Sequence, residues 1–556
     1  MNIGKLKFSS KSITFNNSVT VEKISACNIT QGISMNDDFI FCRNKNHLKV
    51  FDRICDHKGG KLISREGKTI CPLHGWEFNP VNGDYVNVEC RKEPIFDSDI
   101  GALETVELLK KHLSRDRSKF KAKKDLNIRY LNHACLIVET EDLKFATDPW
   151  LIGPAFSNGW WLSRESPLDA FEELNSCDFV FISHNHPDHL HAETLRQVRA
   201  DMIFITPDFQ SGSTKIYLRD LGFQNVLTLT FSEVLVCDEK EIALSVLKSG
   251  DFRDDSGLMF EVGDFCGIFT VDCNYIDFWR FPETVDLLAS SFANGATGFP
   301  LCFDNYSESE KKLILTRNRN AGRATNQQML EIAQPKFYLP YAGYFSEKAK
   351  RDAYVQNNNL KNNVEDYEKI CADLNIELIN PIEFGCLQFS NGHLSKRRDT
   401  AERFATMNPE EIIGAEIALE VADKEIRNYF IESSFSAALD LRIILSNEDY
   451  SVAMKYINVH FSADSPPTVN FHEVISKHQY NNFLQITVRE NEFYKIITRG
   501  LPWEDLSIGF QCRIIREPNV YNSSFWYHFT NVYVSDRVSR RSQNCGACLR
   551  IEHNLY

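Results

Sequence analysis

The sequence predicts a multidomain α+β chain: a small N-terminal β domain, a central layered α/β domain and a mixed α/β C-terminal region. Three observations predict it. The length of 556 residues is enough for about three domains of ordinary size. A first group of metal-ligating residue types, Cys55-Asp56-His57 and Cys71-Pro72-Leu73-His74 followed by Gly75-Trp76, lies among short apolar runs and turn residues. A second, Ser183-His184-Asn185-His186-Pro187-Asp188-His189, follows an apolar strand where strands alternate with helices, the pattern of a layered α/β domain. The expected boundaries are 1–110 for the first domain, 111–125 for a basic linker, 126–395 for the central domain and 396–556 for the C-terminal region.

Composition narrows the class. Hydrophobic content of 43% and charged content of 25% are those of a globular protein. No apolar run is long enough to span a bilayer. The N-terminal MNIGKLKFSSKS lacks the apolar stretch of a signal peptide. Sixteen cysteines without such a signal suggest reduced thiols and a cytoplasmic location. A formal charge of −14 argues against nucleic acid as a general partner.

In the first domain, Phe39-Ile40-Phe41 and Leu48-Lys49-Val50-Phe51 read as strands, and Pro80 to Asp84 as a turn. The spacing C-x-H…C-x-x-H puts one thiolate and one imidazole in each of two loops. A structural zinc site more often pairs Cys with Cys and His with His. The mixed pairs suit a Rieske [2Fe–2S] cluster, with Cys55 and Cys71 on one iron and His57 and His74 on the other. Neutral imidazoles raise the reduction potential above that of an all-Cys cluster. Such a site passes single electrons.

The basic run from Lys110 to Lys124 reads as a solvated linker, or as a docking patch for an acidic electron donor. Beyond it, Ile128–Leu131, Cys135–Val138 and Phe179–Ile182 read as strands and Ala192–Val198 as a helix. The H-x-H-x-D-H at 184–189 gathers imidazoles and a carboxylate at a strand end, a donor set for zinc, iron or manganese. It resembles the signature of the metallo-β-lactamase superfamily, whose fold is an αββα sandwich. Hydrolases of that superfamily use two zinc ions and need two further histidines downstream, yet no histidine occurs between His191 and His393. Asp272, after the strand-like Phe269-Thr270-Val271, is the candidate bridging carboxylate. The last histidine's expected position falls in Tyr338–Tyr344, which has none. This supply fits one metal better than two. His184, His186 and Asp272 or Asp188, with His189 as a further candidate, make the two-histidine, one-carboxylate set of a mononuclear Fe(II) oxygenase. His133 and Asp148 either join the site or support it.

A one-electron carrier beside a metal with open positions has a joint use in activating O2, whereas hydrolysis needs no cluster. Here a wider resemblance enters. The Rieske pair, Leu131–Cys135, Asp148–Phe156 with Gly159-Trp160-Trp161-Leu162, Ile182–His189, Thr270–Cys273, Gly298-Phe299-Pro300, Pro340–Phe345, Trp503–Leu506 and Ile508–Gln511 together resemble the CMP-N-acetylneuraminate hydroxylase family over nearly the whole chain. The resemblance implies a monooxygenase that hydroxylates the N-acetyl methyl of a nucleotide sugar to N-glycolyl. It implies O2 and electrons from NAD(P)H, relayed by a reductase and cytochrome b5 or a ferredoxin. A related bacterial branch acts on UDP-N-acetylmuramic acid or its precursor, so both substrate classes stay open. A metal-dependent hydrolase with an accessory cluster is the alternative from a different class. Arg317, Arg319 and Arg323 are candidate phosphate ligands, because guanidinium binds phosphate bidentately; exposed arginines on a helix are the plainer reading. The loop 293–298 reads as a tight turn or a close approach to substrate. The Cys545/Cys548 pair reads as ordinary thiols, a redox pair or half a metal site. The cluster domain is expected to supply electrons and no substrate contacts. In the C-terminal region, Pro409–Glu432 reads as a helix and Ala453–Phe461 and Phe483–Val488 as strands.

Overall fold

A computed structural model describes residues 2–532, except 4–5, 13–18, 37, 54, 56–61, 66, 72–75, 89, 102–103, 112–122, 210, 232, 250–253, 274–275, 277–280, 283 and 472–481. His57, His74, most of the basic run and the Cys545/Cys548 pair therefore lie outside the described residues.

The N-terminal domain is built from small antiparallel sheets. Gly32–Met35, Phe39–Asn44, His47–Asp52 and Phe96–Asp99 form a four-stranded sheet, while Ile63–Arg65, Lys68–Ile70 and Glu77–Phe78 form a three-stranded one. Val19–Ser25 pairs with Thr105–Lys111 and closes the domain. Alternation along these strands buries Phe39, Phe41, Leu48, Val50, Val106 and Leu108 in one cluster. A second cluster holds Cys55 and Cys71 together with Phe51, Trp76, Phe78 and Tyr85.

The central domain has two eight-stranded sheets face to face. The first runs from Val226–Leu229 through Ile203–Pro207, Phe179–Phe181, Lys144–Thr147, Cys135–Glu139 and Leu126–Asn132 to the hairpin Cys386–Ser390 and His393–Arg397. In the second, Leu287–Ser290 and Phe265–Phe269 are central, and Ser9–Ser12 forms one edge by pairing with Glu233–Cys237. Facing residues such as Phe145, Phe179, Phe181, Leu244, Phe260 and Phe269 fill the space between the sheets. Helices such as Ala170–Asn175, Ser213–Asp220 and Glu308–Ala333 lie in the outer layers, which gives the αββα order. Two expected boundaries differ. The first strands belong to the central sandwich because Leu6 and Phe8 bury in its core. The polar stretch after Asn391 is the turn and outer strand of an edge hairpin.

The C-terminal region is a five-stranded mixed sheet, ordered Thr468–Phe471, Ala453–Phe461, Leu439–Ser446, Phe483–Arg489 and Cys512–Glu517. The expected helix over 409–432 is two helices, Pro409–Gly414 and Asp423–Glu432. Tertiary bonds hold the segment between them away from helical geometry. Asn158 Nδ2 donates to Glu416 at 2.7 Å, Lys495 binds the same carboxylate, and the Leu419 N–H donates to Asn491 Oδ1 at 2.9 Å. The region packs on the central domain through an apolar cluster shared with Trp150, Phe156, Trp160 and Phe345. Glycines permit this contact: a Cβ on Gly159 would meet the Gly509 carbonyl oxygen at 1.9 Å, and one on Gly509 would meet that of Phe156 at 2.0 Å. Among the described residues, no helix is long and apolar enough to cross a membrane.

Candidate active site

The strand Phe179–Phe181 ends against its parallel neighbours, so the chain turns out of the sheet with Ser183–His189 at its carboxyl end. There the side chains of the H-x-H-x-D-H segment meet those of two other strand ends. His133, at φ +43°, follows Leu126–Asn132, and Asp272 follows Val271, which has φ +52°. A β-branched residue rarely adopts that backbone, and the turn it makes brings the next carboxylate to the site.

The donors form two groups of three, each with its ligand atoms within 4.8 Å of one another: His184, His186 and Asp272, and His133, Asp188 and His189. Each group offers two imidazoles and one carboxylate. They adjoin, since Asp272 Oδ2 lies 3.6 Å from His189 Nε2 and 4.0 Å from His184 Nε2. The sequence left His133 between ligand and support; here its Nε2 is 3.1 Å from Asp188 Oδ2. Asp148 takes a supporting place. Its Oδ1 accepts the Ser183 N–H at 2.7 Å, and its Oδ2 faces His189 Nδ1 at 3.4 Å. His191 caps the helix Ala192–Leu195.

These residues fit a metal. His189 Nε2 and Asp188 Oδ1 are buried without a hydrogen-bond partner among the described residues, which is costly unless a cation completes them. Histidine orientation fits too. His186 Nδ1 lies 2.8 Å from His184 Nε2, and its other nitrogen, Nε2, lies 3.5 Å from Glu504 Oε2. Metal-binding imidazoles commonly hold a carboxylate on the second nitrogen. Charges follow the geometry. Burial, reinforced by His189, pushes His184 down to about 3. Burial would lower His186 as well, but the Glu504 hydrogen bond and the Asp255 and Glu504 charges raise it to about 9. Burial opposes ionisation of the Asp188–His189 pair, yet mutual attraction holds Asp188 well below and His189 well above their ordinary ranges.

Glu504 went unnoticed in the sequence as a site residue. It stands 318 residues from His186, so no local spacing marks it. It starts the short helix Glu504–Ile508, which the C-terminal region lays over the metal donors. Tyr521 Oη donates to Glu504 Oε1 at 3.1 Å.

A cavity of about 630 Å³ opens from these donors, with His133, His186, Asp188, Asp272 and Glu504 in its wall. Phe156, Trp160 and Phe345 give it an apolar side, with Trp160 stacked on Phe345 at 3.6 Å between ring centres. The loop 293–297 lines it. Of the three candidate arginines, Arg317 lines the cavity. Arg319 and Arg323 do not: Arg319 donates to both oxygens of Asp366 at 2.9 Å, and Arg323 reaches the same carboxylate at 3.4 Å. Their phosphate-binding assignment gives way to a structural ion-pair network.

One further expectation is corrected. Trp76, Asn87 and Val88 of the N-terminal domain also line this cavity. The N-terminal domain is thus not separate from this cavity. The reason is packing: Ala321 of the helix Glu308–Ala333 enters the apolar cluster that holds Cys55 and Cys71, and Val88 forms a parallel bridge with Tyr521.

Comparison with known families agrees with both metal-ligating segments. A Rieske [2Fe-2S] domain model matches residues 19–107, and a beta-lactamase superfamily domain model matches residues 127–265. The chain joins a Rieske domain to a β-lactamase-superfamily domain. Cys55 and Cys71, both buried, lie in one apolar cluster within the Rieske match, and the Cys71 N–H donates to the Trp76 carbonyl at 2.8 Å. This Rieske–β-lactamase-fold chain is similar to cytidine monophosphate-N-acetylneuraminic acid hydroxylase of Mus musculus, 28% identical over 92% of this chain and 95% of that one. The protein of the same name from Danio rerio is 28% identical over 88% of each chain. Among solved structures, CmlA, a diiron beta-hydroxylase from Streptomyces venezuelae, has a TM-score of 0.33 at 16% identity, covering 49% of this chain and 55% of its own.

Proposed function

We propose that this protein is a Rieske-dependent hydroxylase that converts the N-acetyl group of a nucleotide sugar to N-glycolyl. The observation that carries the reading is one cavity walled both by the cluster domain, through Trp76 and Val88, and by the donors His186, Asp188 and Asp272. Relatives named as hydroxylases of cytidine monophosphate-N-acetylneuraminic acid, aligned over about nine-tenths of this chain, support the same substrate class. The overall change is R–CH3 + O2 + 2 e− + 2 H+ → R–CH2OH + H2O. The electrons come from NAD(P)H through a redox partner, a ferredoxin or cytochrome b5 with its reductase.

Iron held by these donors would supply O2 activation, and the Rieske cluster single-electron delivery. The chain's own residues do the rest. His184, His186 and Asp272, with His133, Asp188 and His189 as the adjoining donor set, would hold the metal, and Glu504 fixes the ring of His186 from the far side. Asp148 does the same for His189. Phe156, Trp160 and Phe345 keep one side of the cavity apolar, where a methyl group is accommodated and water is not. A hydrolase is the competing reading, and the adjacency of the two donor groups is the feature that favours it.

The deciding experiment incubates iron-reconstituted protein with reductant and O2, separately with CMP-N-acetylneuraminate, UDP-N-acetylmuramate and UDP-N-acetylglucosamine. A mass gain of one oxygen on one substrate supports the hydroxylase and names the sugar. Phosphodiester or ester cleavage by zinc-loaded protein without reductant, and no oxygen gain, replaces it with the hydrolase.

A further inference from the structure

We propose that Arg317 and Arg516 form the anion subsite of this cavity and bind the phosphate of the substrate's nucleotide. The proposal rests on the nucleotide-sugar reading and assigns that reading a recognition site.

Charge accounting singles out the two residues. Carboxylates in the cavity wall are already engaged. Glu504 faces His186 and Tyr521, Asp188 faces His133 and His189, and Asp272 faces His189 and His184. Glu310 accepts the N–H and hydroxyl of Ser307 at the helix start. The arginines of the neighbourhood are mostly engaged too, Arg319 and Arg323 by Asp366, Arg351 by Glu448 and Glu492, and Arg489 by Asp352. Arg317 and Arg516 both line the cavity, and neither has a carboxylate partner among the described residues. The chain has 76 acidic against 62 basic residues, so two guanidiniums left unpaired in one cavity are not a consequence of excess cation. An anionic ligand would complete them.

Arg516 is also held in place before any ligand arrives. Its backbone N–H donates to Asn305 Oδ1 at 3.0 Å and its carbonyl accepts from Asn305 Nδ2 at 2.9 Å. Its Nε donates to Asn519 Oδ1 at 2.8 Å, and its guanidinium lies 4.8 Å from the ring centre of Phe303 and 5.8 Å from that of Phe299. Nε is thereby used and Tyr306 also hydrogen-bonds this side chain; the remaining terminal N–H groups are the ones suited to phosphate oxygens. Preorganisation of this kind lowers the ordering cost of binding. Arg317 approaches from the long helix Glu308–Ala333, on the same stripe as Ile314 and Asn318, which line the cavity with it. Phe299 and Tyr306 stand beside Arg516 in the wall, with ring centres 5.6 Å apart, apolar surface for a base next to cation for its phosphate. The metal donors occupy other wall positions, which leaves the sugar's acetyl group for them.

The test is isothermal titration of the full-length, cluster-loaded protein with CMP, UDP, cytidine and uridine. Wild type should bind CMP or UDP more tightly than the matching nucleoside. Arg516→Met should weaken that nucleotide roughly ten- to hundredfold and leave nucleoside affinity unchanged, and Arg516→Lys should restore part of the loss. Arg317→Met, on an exposed helix position, should weaken the nucleotide in the same selective way and gives the answer if Arg516→Met fails to fold. Nucleotide affinities unchanged in both Met variants, or nucleotides bound no better than nucleosides by wild type, would overturn the subsite. Phosphate-selective binding lost in these variants, together with no oxygen insertion by wild type, would leave the subsite standing and remove the hydroxylase reading instead.

Discussion

Glu504 does its work through another residue, the ring of His186. With the carboxylate 3.5 Å from Nε2, Nδ1 is the nitrogen left for a metal shared with His184 and Asp272. Glu504→Gln keeps the shape and removes the charge. It should lower metal affinity ten- to hundredfold, by the usual effect of losing such a partner, in a metal titration, with the Rieske electron paramagnetic resonance signal unchanged. An unaltered metal affinity would reduce Glu504 to a packing role. His528 tests a different residue-scale effect. It is buried, its Nε2 donates to the Ser433 carbonyl at 2.8 Å, and burial pushes its pKa down to about 4 from an ordinary 6.5. The unfolded chain therefore takes up this proton at higher pH than the folded one. Stability from this group is complete above about pH 6.5 and is lost as pH falls toward 4, roughly 3 kcal/mol in all. Thermal melts of His528→Gln against wild type between pH 7 and 4.5 should show a shallower slope in the variant, and parallel slopes would contradict the assignment. At this scale the sequence was legible wherever ligands are close along the chain, as at 184–189. Glu504 and Arg516 were not, because their significance arises only when a distant segment folds over the strand ends.

Elements were legible where a single periodicity dominates. The strand at Ala453–Phe461 lies where its residues place it, and so do the two around Asn132 and Cys135, because burial on alternating faces leaves little choice of register. The helix expected over 409–432 is divided in two for a physical reason. Its local propensity competes with the Glu416–Lys495 contact and the Leu419–Asn491 bond, and tertiary bonds win over a weak local preference. Glycines show the same limit from the other side. Gly159 and Gly509 were visible within family-like segments, but not their contact with each other. Gly509→Ala would set a methyl 2.0 Å from the Phe156 carbonyl oxygen and 2.7 Å from that of Asp505. Backbone on both sides cannot yield cheaply, so the variant should lose at least about 2 kcal/mol in thermal or denaturant unfolding. Because Glu504 and Gly509 flank the same short helix, metal affinity should fall with it. Wild-type stability in Gly509→Ala would mean that the C-terminal region does not seat on the central domain as described.

At the scale of the whole molecule, three units meet around one space. The two metal-ligating segments announce two domains in the sequence, and their family-model matches fall where the motifs do. What the sequence did not disclose is that the domains share a wall, since Asn87 and Val88 carry no motif and Tyr521, which bridges Val88, belongs to the C-terminal region. The consequence is physical coupling between substrate and cluster. Trp76 follows Cys71-Pro72-Leu73-His74-Gly75 by one position. It packs in the apolar cluster with Cys55 and Cys71, lies edge-on to Tyr85 at 5.1 Å and lines the cavity. A ligand that fills the cavity changes the solvent access and polarity around that cluster, and these are levers on an iron–sulfur centre's potential and spectrum. Adding the nucleotide sugar that binds to dithionite-reduced full-length protein should therefore shift the g-values of the Rieske signal. Trp76→Ala should weaken nucleotide-sugar binding and diminish the shift. Val88→Trp, which fills the cavity from the cluster side, should weaken binding while the ligand-free spectrum stays that of a Rieske centre. If saturating ligand leaves the spectrum untouched and both variants bind as wild type does, the cluster domain supplies electrons alone and the shared wall has no part in recognition.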